Sequence, residues 1–273
     1  MGLRVNTNLA SLNAQRSLSA VSTRLMGNFK RLSSGLRIAT AADDAAGLGI
    51  SERMRSQIRS YGAAARNAQD GISLVQTAEG ALNEVNSILN RMRELSIQAA
   101  NGTLSTADRA TLDTEYQELI NEISRIASTA TFNGVELLDG STTALDIQAG
   151  INQQEIITVS LQDATATALS INSLDVTTAA NATSALSVLD AAVSSVTTAR
   201  GALGSAQNRL QSAISSITNA QENLAAAESR IRDVDVATET ADLTRNTIMQ
   251  QAAVAVLSQA NVQPQLALSL LQG

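Results

Sequence analysis

From Ala185 to Ile231 the chain keeps one large and one small apolar residue in every seven. Leu189, Val196, Leu203, Leu210, Ile217, Leu224 and Ile231 fill the large position. Ala185, Ala192, Ala199, Ala206, Ala213, Ala220 and Ala227 fill the small one. Two turns of α-helix take slightly more than seven residues, so such a seam drifts around a straight helix. It stays on one side only if helices wrap about each other with left-handed supercoil. Each alanine lets a partner backbone come close, and each larger residue fills the remaining hole. At the rise of an α-helix the segment is roughly 70 Å long, whereas an ordinary helix has only about 11–12 residues. The repeat therefore predicts a helical bundle with coiled-coil packing.

Composition supports this reading. Of 273 residues, 44% are apolar and 1% aromatic, the rings being Phe29, Tyr61, Tyr116 and Phe132. The core must be built from Ala, Leu, Ile and Val, which suits thin bundles better than thick globular cores. There is no His or Cys, which excludes histidine acid–base schemes, cysteine nucleophiles and zinc sites made from those ligands. Only carboxylate chemistry remains open, at Asp43–Asp44 and along Glu115, Glu118 and Glu122. Acids at a helix start more simply cap it and complement its dipole. No catalytic, metal-binding or cofactor-binding residue is expected.

Charge is unevenly placed. Residues 1–42 hold six basic side chains, Arg4, Arg16, Arg24, Lys30, Arg31 and Arg37, and no acid. These are interleaved with apolar residues rather than clustered, so no nucleic-acid partner is expected. From Asn246 onward there is no charged side chain. The end reads IMQQAAVAVLSQANVQPQLALSLLQG from Ile248, and its Leu, Val and Ala call for burial. No run of 18 apolar residues exists, so no membrane insertion is expected. The first residues lack the apolar stretch and cleavage signal of a secretory peptide.

The remaining elements follow from periodicity. A helix is predicted from Leu9 to Leu32, with Leu18, Val21, Leu25, Phe29 and Leu32 on one side, interrupted by SSG at 33–35. Thr40 with Asp43 resembles a capping box for a helix reaching Ala100, carrying Tyr61, Ala68, Val75, Leu82 and Leu89 at seven-residue spacing. Ser105 with Asp108 caps a third, with Leu112, Leu119 and Ile126 in step. GVELLDG after Phe132 is strand-like, and the alternation in LDIQAG and ITVSL predicts a hairpin turning near Gly150 and Asn152. After Leu161 the Ser/Thr/Ala/Asn-rich stretch fits either loop or weak helix. The long helix begins near 181, and Asp235 caps a last helix to about 260, with Pro264 kinking it or opening a short final one.

Six blocks in order now identify a resemblance. They are NTNLASLNAQRSL, LSSGLRIATAADDAAGLGISERMRSQIR, AQDGISLVQTAEGALNEVNSILNRMRELSIQAANG, RIASTATFNGVELLDG, ESRIRDVDVATETADLTRNTIMQQAAVAVLSQAN and LSLLQG. Together they resemble bacterial flagellin, over nearly the whole chain. The resemblance implies a mainly α fold: a long coiled-coil helical bundle with a small β-hairpin element, its N- and C-terminal helices pairing into an inner coiled-coil domain. It implies four segments. Residues 1–42 and 236–273 make the two halves of the inner domain. Residues 43–180 carry the N-terminal bundle helices, hairpin and a short central connection, and 181–235 the long C-terminal bundle helix. With only about 40 residues, roughly 141–180, between the matching regions, outer domains are expected to be missing.

The implied function is that of a secreted, extracellular subunit polymerising into the hollow helical flagellar filament used for swimming. Its partners would be many copies of itself, an export chaperone, the secretion apparatus, junction proteins and the filament cap. Axial assembly is assigned to Leu18, Val21, Leu25, Phe29, Leu32, Val254, Leu257, Leu266, Leu270 and Leu271. The bundle seam is assigned to the large series from Leu189 to Ile231 with Ala199, Ala206, Ala213, Ala220 and Ala227. Arg91, Leu95 and Glu115 match positions at which flagellins contact the innate receptor toll-like receptor 5. The family often reads Asn-Gln, a variable residue, then Pro-Gln near its end, where this chain has NVQPQ from Asn261. Two rivals remain at this point. A hook–filament junction protein would share both ends, and a signalling coiled coil of the chemoreceptor type would share the heptads.

Overall fold

The computed structural model describes the backbone of residues 7–272 and the side chains of residues 7–263. Five helices run in the order α1 (Leu9–Ser34), α2 (Ala45–Ala100), α3 (Thr106–Thr129), α4 (Ala179–Arg232) and α5 (Val236–Gln272). Four short strands lie between α3 and α4: β1 (Thr131–Phe132), β2 (Val135–Glu136), β3 (Ala144–Gln148) and β4 (Ile156–Ser160). They form two separate antiparallel pairs, β1 with β2 and β3 with β4. The chain divides into two compact units, Met1–Ser56 with Asn223–Gly273, and Gln57–Glu222.

The second unit is built on the heptad seams of α2 and α4. Ala68, Val75, Leu82 and Leu89 are buried, as their spacing predicts, while Tyr61 is half-buried. Gly71, Ala78 and Val85 between them and Met92 after Leu89 are also buried, completing a seam of alternating three- and four-residue steps. On α4 the buried series runs Ala182, Ala185, Leu189, Ala192, Val196, Ala199, Leu203, Ala206 and Leu210. Arg93 pairs with Asp190 at 2.7 Å and Arg200 with Glu79 at 3.7 Å, so the two helices are antiparallel. The first pair is exposed and the second half-buried at a long distance, so both add little energy. The apolar seam holds the helices together.

A glycine inside α2 has a packing reason. A Cβ on Gly71 would lie 3.2 Å from Ile147 and 3.3 Å from Leu210. The missing side chain lets β3 and α4 approach at one level, offsetting the roughly 1 kcal/mol that glycine costs inside a helix. The β3–β4 hairpin closes this side of the core with Ile157 and Val159, both buried.

Helix ends follow local chemistry. Ser105 and Asp108 form the expected capping box. The Asp108 carboxyl is held below its usual 3.8 by the Ser105 hydroxyl and amide. For α2 the expectation is corrected: Thr40 and Asp43 form a separate turn, in which Asp43 accepts the Thr40 amide at 2.9 Å. The helix begins later, where Asp44 accepts the Gly47 amide at 2.9 Å. Asp235 caps α5 as expected, accepting from the Ala237 amide at 3.0 Å. That helix runs through Pro264 to Gln272 with no separate final helix. Proline removes one donor, and the surrounding turns keep the helical path.

Two other sequence expectations change. On α3 the deepest face is Tyr116, Ile120, Ile123 and Ala127, whereas Leu112, Leu119 and Ile126 flank it half-buried. Three helix neighbours share the core face, and a single heptad position captures only its edge. The strand-like GVELLDG forms strand only at Val135–Glu136, turning through Asn133 and Gly134, both left-handed at φ 49° and 79°. Leu137 and Leu138 leave the strand and are fully buried. The stretch after Leu161 is loop rather than helix, anchored by buried Ala164, Ala166, Leu169, Ile171 and Val176.

The turn from α2 to α3 rests on a residue that periodicity does not reveal. Arg109 is 9% exposed and donates to the carbonyls of Ala99 at 2.8 Å and Asn101 at 2.9 Å. Its guanidinium thus closes the C-terminal end of α2 from the next helix. Replacing Arg109 with Ala is expected to destabilise the chain by about 1–3 kcal/mol through the stranded buried carbonyl, read as a lower midpoint of thermal unfolding. An unchanged midpoint would show that solvent satisfies both carbonyls.

Candidate self-assembly faces

The first unit is dominated by the antiparallel pairing of α1 with α5. On α1 the inward positions are Ala14, Leu18, Val21, Leu25, Asn28 and Leu32, all buried or half-buried, in steps of four and three. On α5 they are Glu239, Leu243, Asn246, Ala253, Leu257 and Ala260. Near the far end the Asn8 side chain donates to the Ala260 carbonyl at 2.6 Å, and the Ser11 hydroxyl to Asn261 at 2.8 Å. At the near end Gly35 turns left-handed at φ 70°. Its carbonyl accepts the Val234 amide at 3.0 Å, and the Arg37 amide donates to Arg232 at 2.7 Å. Arg232 also donates to Glu52 at 2.6 Å, which holds that carboxyl below its usual value.

Predicted assembly residues thus fall into two sets. Leu18, Val21, Leu25, Leu32 and Leu257 lie in the seam between α1 and α5 of one chain. Phe29 and Val254 do not: they are 55% and 52% exposed. The side chains of Leu266, Leu270 and Leu271 lie outside the described residues. Phe29 is joined on the exterior by Leu9, Leu12 and Met26 of α1, and Val254 by Ile248, Val256 and Val262 of α5. Periodicity sets Phe29 on one side of α1 with Leu25 and Leu32. In the seam that level is filled by Asn28, buried at 2% exposure and seven residues after Val21.

Of the bundle-seam residues, Leu189, Val196, Leu203, Leu210, Ile217, Ala199 and Ala206 are buried. Ala213, Ala220, Leu224, Ala227 and Ile231 are half-buried. Burial is therefore graded along α4, although the repeat is even.

Arg91 and Glu115 meet, the Arg91 Nη2 lying 2.8 Å from Glu115 Oε1, and this pairing raises the guanidinium's affinity for its proton. Leu95 is not beside them on the surface. It is fully buried in the core of the second unit, because it shares the inward face of α2 with Met92 and Ala99.

No group of three or more acidic side chains among the described residues is arranged to hold a metal ion. Among them no helix is long and apolar enough to cross a membrane. The concave sites are open grooves, such as that along Gly201, Gly204, Ser205, Asn208 and Arg209 of α4. Paired long helices with an apolar exterior are suited to contact with other helices.

Comparison with known proteins decides the family. Residues 5–143 match the bacterial flagellin N-terminal helical region, and residues 186–271 the bacterial flagellin C-terminal helical region. The chain belongs to the bacterial flagellin family. It is 48% identical to the flagellin of Halalkalibacterium halodurans over 98% of this chain and 99% of that one. It is 45% identical to the flagellin of Bacillus subtilis over 99% of this chain and the whole of that one. Among solved structures, the crystal structure of Bacillus cereus flagellin is similar with a TM-score of 0.52 and 35% identity. That likeness covers 60% of this chain and 94% of that chain. Likeness to flagellins over nearly the full length makes this chain a structural subunit of the flagellar filament, and favours neither the junction nor the chemoreceptor reading. Flagellin is a structural protein family, and its members form the extracellular filament.

Proposed function

We propose that the α1–α5 pair is the axial assembly element, packing against the same pair in neighbouring copies and lining a hollow tube. The exterior of this pair supports the reading: Met26 and Ile248 are 63% and 60% exposed, and seven further large apolar side chains of the two helices are exposed among the described residues. Each such side chain gains about 1.5–3 kcal/mol when fully buried. Heterologous contacts repeated from copy to copy, without closing, generate helical filaments. In this account residues 1–42 and 236–273 form the inner domain, and 43–180 with 181–235 the surrounding bundle layer. Subunits travel unfolded through the flagellar secretion apparatus, escorted by an export chaperone, and add beneath a cap onto junction proteins. Long helices marginal without tertiary packing suit that route.

A second surface is the exposed Arg91–Glu115 pair, the part of the toll-like receptor 5 recognition motif that is accessible. Leu95 would act there by supporting α2 from within.

The assembly reading is tested by charging the exterior without touching the seam. Met26→Glu with Phe29→Glu should leave far-UV helicity unchanged and raise the concentration needed for seeded filament growth more than tenfold, since about 1.4 kcal/mol corresponds to a factor of ten. Growth of the double variant at the original concentration would refute it.

A further inference from the structure

The α1–α5 seam is apolar along most of its length and polar at one level. Asn28, Glu239 and Asn246 are 2%, 9% and 8% exposed. The Asn28 side-chain amide donates to Glu239 Oε1 at 2.5 Å, and its oxygen accepts from the Asn246 amide at 2.8 Å. Arg31 Nε completes the layer, donating to the same Glu239 oxygen at 2.9 Å.

Each of the three buried residues holds a heptad position that the seam otherwise gives to an apolar one. Asn28 follows Val21 by seven; Asn246 precedes Ala253 by seven and Ala260 by fourteen. Cohesion does not explain them, because apolar side chains of similar size in such a layer are often neutral or stabilising. Alignment does. The apolar part of the seam repeats every seven residues, with Leu18, Leu25 and Leu32 on one helix and Ala253 and Ala260 on the other. A slip by one heptad would exchange like for like there. Glu239 and Asn246 are one heptad apart, so the same slip would leave Asn28 facing only one of them and bury the other without its partner. A polar group at a single seam position is a known way to fix coiled-coil register.

The backbone contacts beyond the near end of the pair, at Gly35–Ile38 and Arg232–Val234, tie the chain there and do not reach into the seam itself. The connection from Ser34 to Ala45 is long enough to take up a slip of one heptad. We propose that Asn28, Glu239 and Asn246 are the specificity-determining residues of α1–α5 pairing, selecting one alignment from heptad-shifted alternatives.

The absence of cysteine makes the test clean. In the full chain, Ser11→Cys with Asn261→Cys reports the native alignment, because those side chains meet. Ser11→Cys with Val254→Cys reports a slip of seven residues one way, and Leu18→Cys with Asn261→Cys a slip the other way. With the polar layer intact, oxidation should give only the first disulfide. After Asn28→Leu, Glu239→Leu and Asn246→Leu together, native-pair yield should fall and a slipped pair should rise severalfold above background. Val21→Leu, an apolar change in the same seam, should leave only the native pair. The proposal is overturned if the triple variant still gives the native disulfide alone. It is equally overturned if all three disulfides disappear, since the layer would then supply cohesion, or if Val21→Leu slips as readily.

Discussion

Removal of residues 246–273 is expected to abolish extension of filament seeds while leaving a soluble chain that remains largely helical. The missing segment carries no charge and contributes two different surfaces. Its inward side holds Ala253, Leu257 and Ala260, and supplies the partners of Asn8, Ser11 and Asn28. Its outward side holds Ile248, Val254, Val256 and Val262, each at least 41% exposed. Losing the first unpairs most of α1. Losing the second removes half of the exterior proposed to meet neighbouring copies. The unit Gln57–Glu222 has its own buried core and keeps its helices. Circular dichroism of the truncated chain and electron microscopy after seeding would read both halves of this result. Filaments of normal length would mean that axial cohesion lies elsewhere.

Leu89→Ala should lower the stability of the second unit by about 2–5 kcal/mol. Leu89 is fully buried on the α2 seam, in the same core as Tyr116, Ile123 and Leu189. Packed interiors relax incompletely around a deletion, so the cost includes both lost transfer energy and a residual cavity. For a unit of this size each kcal/mol moves the midpoint by about 2–4 °C, giving a drop of roughly 4–20 °C in thermal unfolding. Ile217→Ala should shift it in the same direction, since Ile217 is 4% exposed. Ile97→Ala, at an α2 position that is 52% exposed, should change it little. Equal effects at Leu89 and Ile97 would contradict the seam assignment.

Much of this architecture was legible because long helices write their packing into a period. The steps of seven along α2 and α4 located the residues that meet, and Asp235 and the Ser105–Asp108 box marked helix starts by chemistry confined to one turn. What escaped was non-local. Arg109 looks like any surface arginine until the end of α2 is placed beside it. The start of α2 was ambiguous because Asp43 and Asp44 are both competent caps, and the turn at Thr40 uses the first. The motif groups Leu95 with Arg91 and Glu115 along the chain, whereas on α2 Leu95 continues the buried stripe of Met92 and Ala99 and Arg91 stands at the exposed edge of that stripe. An apolar pattern groups Phe29 with Leu25 and Leu32 on one side of α1 and skips Asn28 for its polarity. A hydrophobic pattern cannot distinguish a residue buried within its own chain from one left for another copy, and it cannot see a seam position filled by an amide. The exterior of the α1–α5 pair therefore became visible only with the seam in place.

The most direct measurement is an electron cryomicroscopy map of filaments grown from this chain, at a resolution that shows side chains. The account predicts Met26, Phe29, Ile248, Val254 and Val256 in van der Waals contact with helices of adjacent copies, around a central channel. A map in which those side chains face solvent, with copies joined only through residues 57–222, would contradict it.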